Sequence, residues 1–270
     1  MNEIKQIHSA QNPLVKEIVQ LKEKSRERKK SGRFVLEGVK EFQLALKGGY
    51  SVETVLFCTP LISESKVLQL IRALHVIPRL IEVSKEVYQK LAHRETTEGI
   101  IAVVRSKPHA LDQLSFKRDN PLILVAEAPE KPGNIGALLR TADAADLDAV
   151  IIADPKGDLY NPNIIRSSIG CIFTTQVGMG TTAEIIAFLR QKKITIYSAG
   201  LSASESYIQV DFSMASAIVV GTESTGLSPE WLEKSDQNII IPMQGEIDSL
   251  NVSVSAAILI FEAKRQRGFQ

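Results

Sequence analysis

The sequence predicts an α/β protein in which a small α/β domain precedes a larger domain built on a parallel sheet. Apolar runs typical of strands alternate with amphipathic segments typical of helices along most of the 270 residues. In the second half the strand-like runs are apolar throughout, as expected when helices cover both faces of a parallel sheet. A polar stretch without this periodicity ends at Pro121. We therefore predict domains at 1–105 and 121–270, joined by a linker at 106–120.

The first domain begins with a clear helix signal. Asn12 and Pro13 supply an N-cap residue and a first-turn proline, and apolar residues follow at helical spacing as far as Leu21. Later strands are predicted at 33–37, 54–57, 80–83 and 100–104, and later helices at 41–47, 66–74 and 85–91.

The second domain repeats the order strand, loop, helix. Strands are predicted at 122–126, 149–153, 172–177, 194–198, 217–220 and 238–241. Helices are expected to begin near Asn134, Asn163, Thr181, Ser228 and Ser249. Ligands of such sheets bind at the carboxyl ends of the strands, so the loops that follow the strands are where we look for a site.

Composition limits the class of protein. Hydrophobic residues make up 44% and charged residues 23% of the chain, as in ordinary globular proteins. Cys58 and Cys171 suggest neither a disulfide framework nor a zinc site, and no other metal-ligand cluster is apparent. The amino terminus lacks the apolar core of a signal peptide, and no stretch approaches a membrane span. We predict a cytoplasmic protein that uses neither metal nor membrane.

Charge is distributed unevenly along the chain. Residues 1–120 carry 21 Lys and Arg against 14 Asp and Glu, whereas residues 121–270 carry 11 against 17. Such a split indicates that the first domain meets a polyanion. A solvated helix face is the alternative for the basic run at 22–33. The candidate phosphate-binding residues within it are Arg26, Arg28, Lys29, Lys30 and Arg33.

Two local patterns suggest other enzymes but are incomplete. The segment from Gly178 to Ala183 resembles a dinucleotide-binding turn, but the next strand ends without the acidic residue that would bind a ribose. The segment from Gly221 to Gly226 resembles a nucleophile elbow with its serine one position out of place. Histidines occur only at positions 8, 75, 93 and 109. A Ser-His-acid triad in the second domain would therefore lack its base.

Three polar clusters follow apolar strands of the second domain. In the first, Asn134 is expected to cap a helix that carries Arg140 six residues further on. In the second, Glu223 occupies a loop bounded by glycines. In the third, Ser249 and Asn251 open the last helix, where free backbone N–H groups attract electron-rich ligands. We expect these five residues to share one edge of the sheet.

These clusters resemble the three ordered motifs of the SpoU (TrmH-type) RNA ribose 2′-O-methyltransferases, a family of the SPOUT class. The matching segments are Asn134 to Arg140, Gly221 to Leu227, and Ile241-Pro242-Met243 followed by the run from Ser249 to Ala257. The segment from Ile165 to Gly170 is similar to another recurrent family segment. The first domain, through the segments 33–38 and 98–103, resembles the substrate-binding module of rRNA-acting members.

The resemblance implies a fold, a cofactor and an assembly. The fold is a SPOUT domain with a deep trefoil knot at its carboxyl end, preceded by a small RNA-binding domain, and the assembly is a homodimer through the C-terminal domain. The cofactor is S-adenosylmethionine (AdoMet). Its implied contacts are Gly200, Leu201, Gly221, Ile241, Met243 and Leu250. The approach to Asn134 departs from the Asp-Pro common in the family, since Glu127 to Gly133 stands there.

The resemblance also implies roles for the polar residues. Asn134 would orient a ribose, and Arg140 would lie beside its 2′-oxygen and the neighbouring phosphate. Glu223 would fix Arg140 or the motif loops, and Ser249 and Asn251 would hold loop and substrate. A guanidinium is a poor proton acceptor, so stabilising a nascent alkoxide is the physically easier role for Arg140. The expected substrate is large-subunit (23S) rRNA. The alternatives are tRNA, a non-catalytic RNA-binding protein on this scaffold, or a nucleotide-dependent oxidoreductase.

Overall fold

A computed structural model of the chain describes residues 4–72, 74, 76–93, 98–201, 205–222 and 224–269. The chain divides into two compact units. The first unit combines Met1–Lys107 with Asp158–Thr174, and the second combines Pro108–Gly157 with Thr175–Gln270. The chain therefore passes between the units three times, and the segment 158–174 belongs to the first unit although it lies within the sequence of the second.

The first unit contains a mixed sheet with helices. Its strands are β1 (Lys5–Ile7), β2 (Arg33–Glu37), β3 (Val52–Phe57), β4 (Arg79–Val83) and β5 (Ile100–Arg105). Its helices are α1 (Pro13–Glu23), α2 (Ser25–Ser31), α3 (Val39–Lys47), α4 (Glu64–Ile71) and α5 (Lys85–Leu91). The strand order is β1-β4-β3-β5-β2, with β5 antiparallel to both of its neighbours.

Local capping accounts for the helix starts in this unit. The Oδ1 atom of Asn12 accepts from the backbone N–H of Leu14 at 2.9 Å, and Pro13 follows at the first helical position. Ser84 caps α5 in the same way. The predicted helix starts at these two positions are therefore confirmed. Strand β1 was not predicted, because three residues are too few to show a period.

The segment 158–174 is held in the first unit by buried contacts. Asp158 forms an ion pair with Arg28, and both side chains are almost fully buried. The hydroxyls of Tyr160 and Tyr50 lie 3.2 Å apart, and burial raises the pKa of both groups, so both remain protonated at neutral pH. A methyl group on Gly48 would overlap the carbonyl oxygen of Phe173. Glycine at position 48 is therefore required for this close approach.

The second unit contains a parallel sheet, as predicted. Its strands are β6 (Leu122–Glu127), β7 (Ala149–Ala153), β8 (Val177–Gly180), β9 (Thr195–Ala199), β10 (Glu205–Ser206), β11 (Ser216–Val220) and β12 (Gln237–Ile240). The order is β10-β12-β9-β11-β6-β7-β8, and every pairing between these strands is parallel. The residues of the strands β6, β7 and β11 are all buried, which explains why these strands are almost entirely apolar.

The helices of the second unit are α6 (Pro132–Ala144), α8 (Thr182–Gln191), α9 (Pro229–Lys234) and α10 (Val252–Gln266). The short helix α7 (Pro162–Ser167) lies in the segment 158–174 and therefore belongs to the first unit. One core is formed by the sheet with α8 and α9, and it includes Ile185, Leu189 and Trp231. Helix α6 packs against α10. Among the residues that the structure describes, no helix is long and apolar enough to cross a membrane.

Two local expectations were wrong. The strand predicted at 172–177 is a 3₁₀ turn at Cys171–Phe173, and β8 begins only at Val177. The preceding Ile169 and Gly170 have φ values of 53° and 80°, which turn the chain at this point. Asn134 does not cap α6: the N-cap residue is Lys131, and Asn134 lies in the first turn. Pro132, whose φ already suits a first helical position, starts the helix earlier.

The carboxyl end of α10 is fixed by Arg267. Its guanidinium donates to the carbonyl oxygens of Phe212 at 2.7 Å, Asn120 at 2.6 Å and Met214. We expect Arg267→Ala to lower the free energy of unfolding by about 2–4 kcal/mol, because three carbonyl groups lose a charged donor in a partly buried setting. Arg265→Ala is the matched control, since Arg265 is exposed and pairs with Glu262, its neighbour on the same helix. Urea unfolding of both variants tests this, and equal stabilities would contradict it.

Candidate active site

A cavity of about 590 Å³ opens at the carboxyl ends of β9, β11 and β12. Its volume is in the range of sites for small molecules and cofactors. Apolar side chains, among them Leu232 and Ile239, form part of the wall. The six residues predicted to hold a cofactor all line it: Gly200, Leu201, Gly221, Ile241, Met243 and Leu250. The structure therefore brings this predicted set together, while their contact with a cofactor stays a prediction.

The loop after β11 is shaped by close backbone packing. Thr222 and Gly226 exchange two backbone hydrogen bonds, of 3.0 and 3.2 Å, and the hydroxyls of Thr222 and Thr225 lie 2.8 Å apart. A methyl group on Gly221 would overlap the carbonyl of Gly226 and the nitrogen of Leu227. Only glycine fits at position 221, so the backbone of this loop comes directly to the cavity wall. Glu223, which was predicted to act in catalysis, lies outside the described residues.

A buried carboxylate at the end of β6 is bonded to the loop that follows β11. Glu127, at the end of β6, is 7% exposed, and its Oε2 accepts from the backbone N–H of Ser228 at 2.8 Å. Ser228 directly follows Leu227, which lines the cavity. Glu127 is not among the site residues predicted from the sequence. A charged residue ending an otherwise apolar strand was the available signal, since a buried charge requires a partner.

Asn251 and Asn134 meet beside the cavity. Asn251 caps α10, as predicted, because its Oδ1 accepts from the backbone N–H of Ser253 at 2.9 Å. Its Nδ2 donates to Oδ1 of Asn134 at 3.2 Å. Asn251 lines the cavity itself, and the bond places the Asn134 amide next to it. Two residues that are 117 positions apart therefore share one polar contact.

Ser249 and Arg140 are placed differently from this pair. Ser249 lines the cavity and lies outside α10, where its hydroxyl donates to Asp248 at 3.0 Å. It is therefore not a cap of the helix. Arg140 lies on α6, about 9 Å along the axis from Asn134, and its side chain is exposed. Its side chain therefore lies on the surface of α6, the helix that packs against α10.

Helix α10 carries an apolar stripe on its outer face. Val254 and Phe261 are 46% and 41% exposed, and Ala257 and Ile258 between them are only half-buried. The spacing i, i+3, i+4, i+7 puts these four side chains on one side of the helix. Such a stripe is typical of a helix face that packs against another protein surface.

The predicted phosphate-binding residues of the first unit separate into two groups. Arg26, Lys29 and Lys30 are exposed on α2. Arg28 is 5% exposed and donates to the carbonyl oxygens of Leu21 and Lys22 besides its ion pair. Its burial does not fit contact with RNA, because the whole guanidinium faces the protein. The charge run alone does not reveal which of its members turns inward.

Arg33 is partly exposed and paired with carboxylates. Its guanidinium lies 2.6 Å from Glu17 and 3.7 Å from Glu53. These acids reduce the positive charge that Arg33 presents to an anion.

In the part of the chain that the structure covers, no group of three or more His, Cys, Asp or Glu residues is arranged to hold a metal ion.

Comparison with known proteins agrees with this architecture. The family described as "SpoU rRNA Methylase family" matches residues 121–261, and the "MRM3-like substrate binding domain" matches residues 12–102. The first match covers more than half of the chain. The chain belongs to the SpoU rRNA methylase family, and it carries the substrate-binding domain in front of the methylase domain.

Individual relatives cover almost the whole chain. The 23S rRNA (guanosine(2553)-2′-O)-methyltransferase RlmP of Bacillus subtilis is 31% identical over 97% of this chain and 100% of its own. A crystal structure of an RNA 2′-O ribose methyltransferase is 38% identical, with a TM-score of 0.82 over 97% of this chain and 99% of its own. An AdoMet-bound rRNA methyltransferase from Sinorhizobium meliloti is 25% identical, with a TM-score of 0.88 over 97% and 98%.

Proposed function

We propose that the protein transfers a methyl group from AdoMet to the 2′-hydroxyl of a ribose in 23S rRNA. The observation that carries the proposal is the cavity at the carboxyl edge of the parallel sheet, which joins all six predicted cofactor residues to the Asn134–Asn251 pair. Relatives that match along the full chain are named as 2′-O-methyltransferases of 23S rRNA or RNA. A cytoplasmic location belongs to the same proposal.

The cavity suits AdoMet in size and chemistry. Leu227, Leu232 and Ile239 offer an apolar surface for an adenine ring, and the backbone at Gly221 is accessible because no side chain covers it. When bound, AdoMet supplies a methyl group activated by a sulfonium. A related rRNA methyltransferase has been crystallised with AdoMet bound, which supports this cofactor.

The polar residues beside the cavity would act on the ribose. The Asn134 amide would hold the ribose in place, so that its 2′-oxygen approaches the methyl group in line. Arg140 would stabilise negative charge on that oxygen as the hydroxyl proton leaves. A guanidinium has a pKa above roughly 12, so we assign the proton to a phosphate or to water rather than to Arg140. Glu223 and Ser249 complete the proposed catalytic set, with Glu223 fixing Arg140 or the motif loops.

The proposal includes a homodimer and a deep trefoil knot in the second unit. The apolar stripe of α10 supports a dimer, since a second copy would cover Val254 and Phe261. Arg140 is exposed on the neighbouring helix α6 and does not line the cavity of its own chain. Parts of each site are therefore expected to be shared across the dimer. The family membership supports the knot, in which the last helix, α10, would be threaded through a preceding loop.

RNA would meet the basic surface of α2, which we define as Arg26, Lys29 and Lys30. We expect Lys29→Gln with Lys30→Gln to weaken RNA binding and to reduce the slope of log affinity against log salt by about 1.4, since each lost phosphate contact contributes about 0.7. The matched control is Lys192→Gln with Lys193→Gln, an exposed lysine pair in the second unit. Fluorescence anisotropy with an rRNA fragment between 50 and 200 mM salt, roughly the range in which such contacts are resolved, measures both slopes. Equal slopes would exclude this surface.

Labelling of RNA tests the proposed activity. The purified protein is incubated with methyl-labelled AdoMet and with 23S rRNA or total tRNA from cells that lack the gene, and the RNA is then hydrolysed in alkali. A 2′-O-methyl group blocks cleavage of the neighbouring phosphodiester, so label in alkali-resistant dinucleotides from 23S rRNA supports the proposal. Label only in tRNA would move the substrate to tRNA. Absence of label from both RNAs, with RNA still bound, would favour a non-catalytic binding protein.

A further inference from the structure

A chain of hydrogen bonds with a fixed direction runs from the start of α10 to Asn134. It begins at the backbone N–H of Ser253, which can only donate, and which donates to Oδ1 of Asn251 at 2.9 Å. The oxygen of the Asn251 amide therefore faces α10, and its NH₂ group faces away from the helix. This orientation follows from the backbone, whose donor has no alternative role.

The second hydrogen bond fixes the orientation of the Asn134 amide. The Nδ2 atom of Asn251 donates to Oδ1 of Asn134 at 3.2 Å. Because an amide NH₂ group cannot accept a hydrogen bond, Asn134 must turn its oxygen towards Asn251. The NH₂ group of Asn134 is then the part of the amide that is directed away from Asn251, and it can only donate.

The hydroxyl of Ser253 strengthens the fixed direction. Its Oγ lies 2.6 Å from the same Oδ1 of Asn251, which thus receives both the backbone and the side-chain donor of one residue. A carbonyl-type oxygen has two lone pairs, so both are occupied. Turning the Asn251 amide over would place its NH₂ group against the backbone N–H of Ser253, which cannot accept, and would break both bonds to Oδ1, so the reversed orientation is disfavoured.

We propose that Ser253 is a positioning residue that fixes the amides of Asn251 and Asn134, so that Asn134 keeps its oxygen bonded to Asn251 and directs its NH₂ group towards the target ribose. This inference rests on the proposed function. Asn134 then donates to a ribose oxygen through its NH₂ group, while its own oxygen stays bonded to Asn251. Ser253 touches neither the cofactor cavity nor the substrate in this role and acts through Asn251.

Asn251→Asp tests the direction of the hydrogen bonds between Ser253, Asn251 and Asn134. Aspartate is as good an N-cap residue as asparagine, so its carboxylate keeps the bonds to Ser253 and the helix start is retained. Its second oxygen faces Asn134 with an acceptor in place of a donor, and Asn134 is expected to turn over. We expect the single-turnover rate at saturating RNA to fall by about a hundredfold, with the AdoMet dissociation constant unchanged within a few fold. A wild-type rate would overturn the proposal.

Ser253→Ala tests the role of the hydroxyl. We expect the same rate to fall by about tenfold, the size expected for one hydrogen bond, and Ser253→Thr to restore it because threonine keeps the hydroxyl. Thr181→Ala is the matched control: it removes a hydroxyl that caps α8 in the same unit, so it lowers stability but should leave the rate unchanged. Loss of rate in the control equal to that in Ser253→Ala, or no rescue by threonine, would assign Ser253 a purely structural role.

An NMR measurement separates this inference from the activity. With ¹⁵N-labelled asparagine, the side-chain amide signals of Asn134 are expected to shift in Ser253→Ala and in Asn251→Asp and to stay in place in Thr181→Ala. If the wild-type protein methylates no RNA, the proposed function fails, and these spectra alone decide the hydrogen-bond chain. Unshifted Asn134 signals in both site variants would overturn it.

Discussion

Arg140→Ala is expected to lower the methyl-transfer rate by about a hundred- to a thousandfold, the effect of removing a donor that stabilises charge in a transition state. The dissociation constant for AdoMet should stay within a few fold of the wild-type value. Arg140 is exposed on α6 and does not line the cavity, so its loss leaves the proposed cofactor site intact. Single-turnover methylation and isothermal titration calorimetry on the same preparation measure the two quantities.

Arg190→Ala serves as the control for this variant. Arg190 is an exposed arginine on α8 of the same unit, and it donates to the carbonyl oxygen of Lys234 at 3.0 Å. The control should therefore retain both the rate and the cofactor affinity. Loss of AdoMet binding in Arg140→Ala together with loss of activity would show that Arg140 acts through the structure, and the assigned role would be wrong.

Gly221→Ala is expected to abolish detectable AdoMet binding. The added methyl group would overlap the carbonyl of Gly226 and the nitrogen of Leu227, and neither backbone group can move without opening the loop at 222–226. That loop forms one side of the cavity, so the cofactor would lose its backbone contacts and its space together. Calorimetry with AdoMet measures the effect, and circular dichroism confirms that the variant is folded.

Gly157→Ala is the matched control for the glycine variant. A methyl group at position 157 would have no heavy atom within 4 Å, and the residue does not have a positive φ. We expect wild-type affinity for AdoMet in this variant. Wild-type affinity in Gly221→Ala as well would place the cofactor away from the loop after β11.

Much of the second unit could be predicted from sequence because its strands are buried on both faces. Runs such as those of β6 and β7 are apolar except for the final Glu127 of β6, and a helix follows each run, so element type and order are evident. The parallel arrangement follows from the intervening helices. Because ligands of parallel sheets bind at the carboxyl ends of the strands, the loops that follow the strands were predicted to meet at a site. The cavity lies at that edge of the sheet.

The 3₁₀ turn at Cys171–Phe173 shows where periodicity fails. Ile172 and Phe173 are buried, so the run has the composition of a strand, but their partners belong to the first unit. The choice between strand and turn there depends on tertiary contacts, such as the close approach of Phe173 to Gly48. No local pattern contains that information.

Arg28 illustrates the same limit for charged residues. Within a basic run, its neighbours Lys29 and Lys30 are exposed, whereas Arg28 is buried against Asp158, a residue 130 positions away. Removing one member of such a buried pair typically costs about 3–5 kcal/mol, so we expect Arg28 to contribute to stability rather than to RNA binding. The partner that makes this burial possible becomes apparent only when the segment 158–174 is seen in the first unit.

Most residues of the candidate site could be predicted from the sequence, but the contacts between them could not. Asn134 and Asn251 were both singled out, but the bond between their amides depends on Asn134 lying inside the first turn of α6 rather than at its cap. Glu127 was missed because a single acidic residue at a strand end has no distinctive spacing. Its bond to Ser228 becomes visible only when the two loops are seen together.

A crystal structure of the protein with AdoMet would locate the cofactor. We expect AdoMet in the cavity at the carboxyl ends of β9, β11 and β12, with its methyl group directed towards the Asn134–Asn251 pair. AdoMet bound at another place, with Asn134 and Arg140 facing solvent away from the methyl group in the assembled protein, would contradict it.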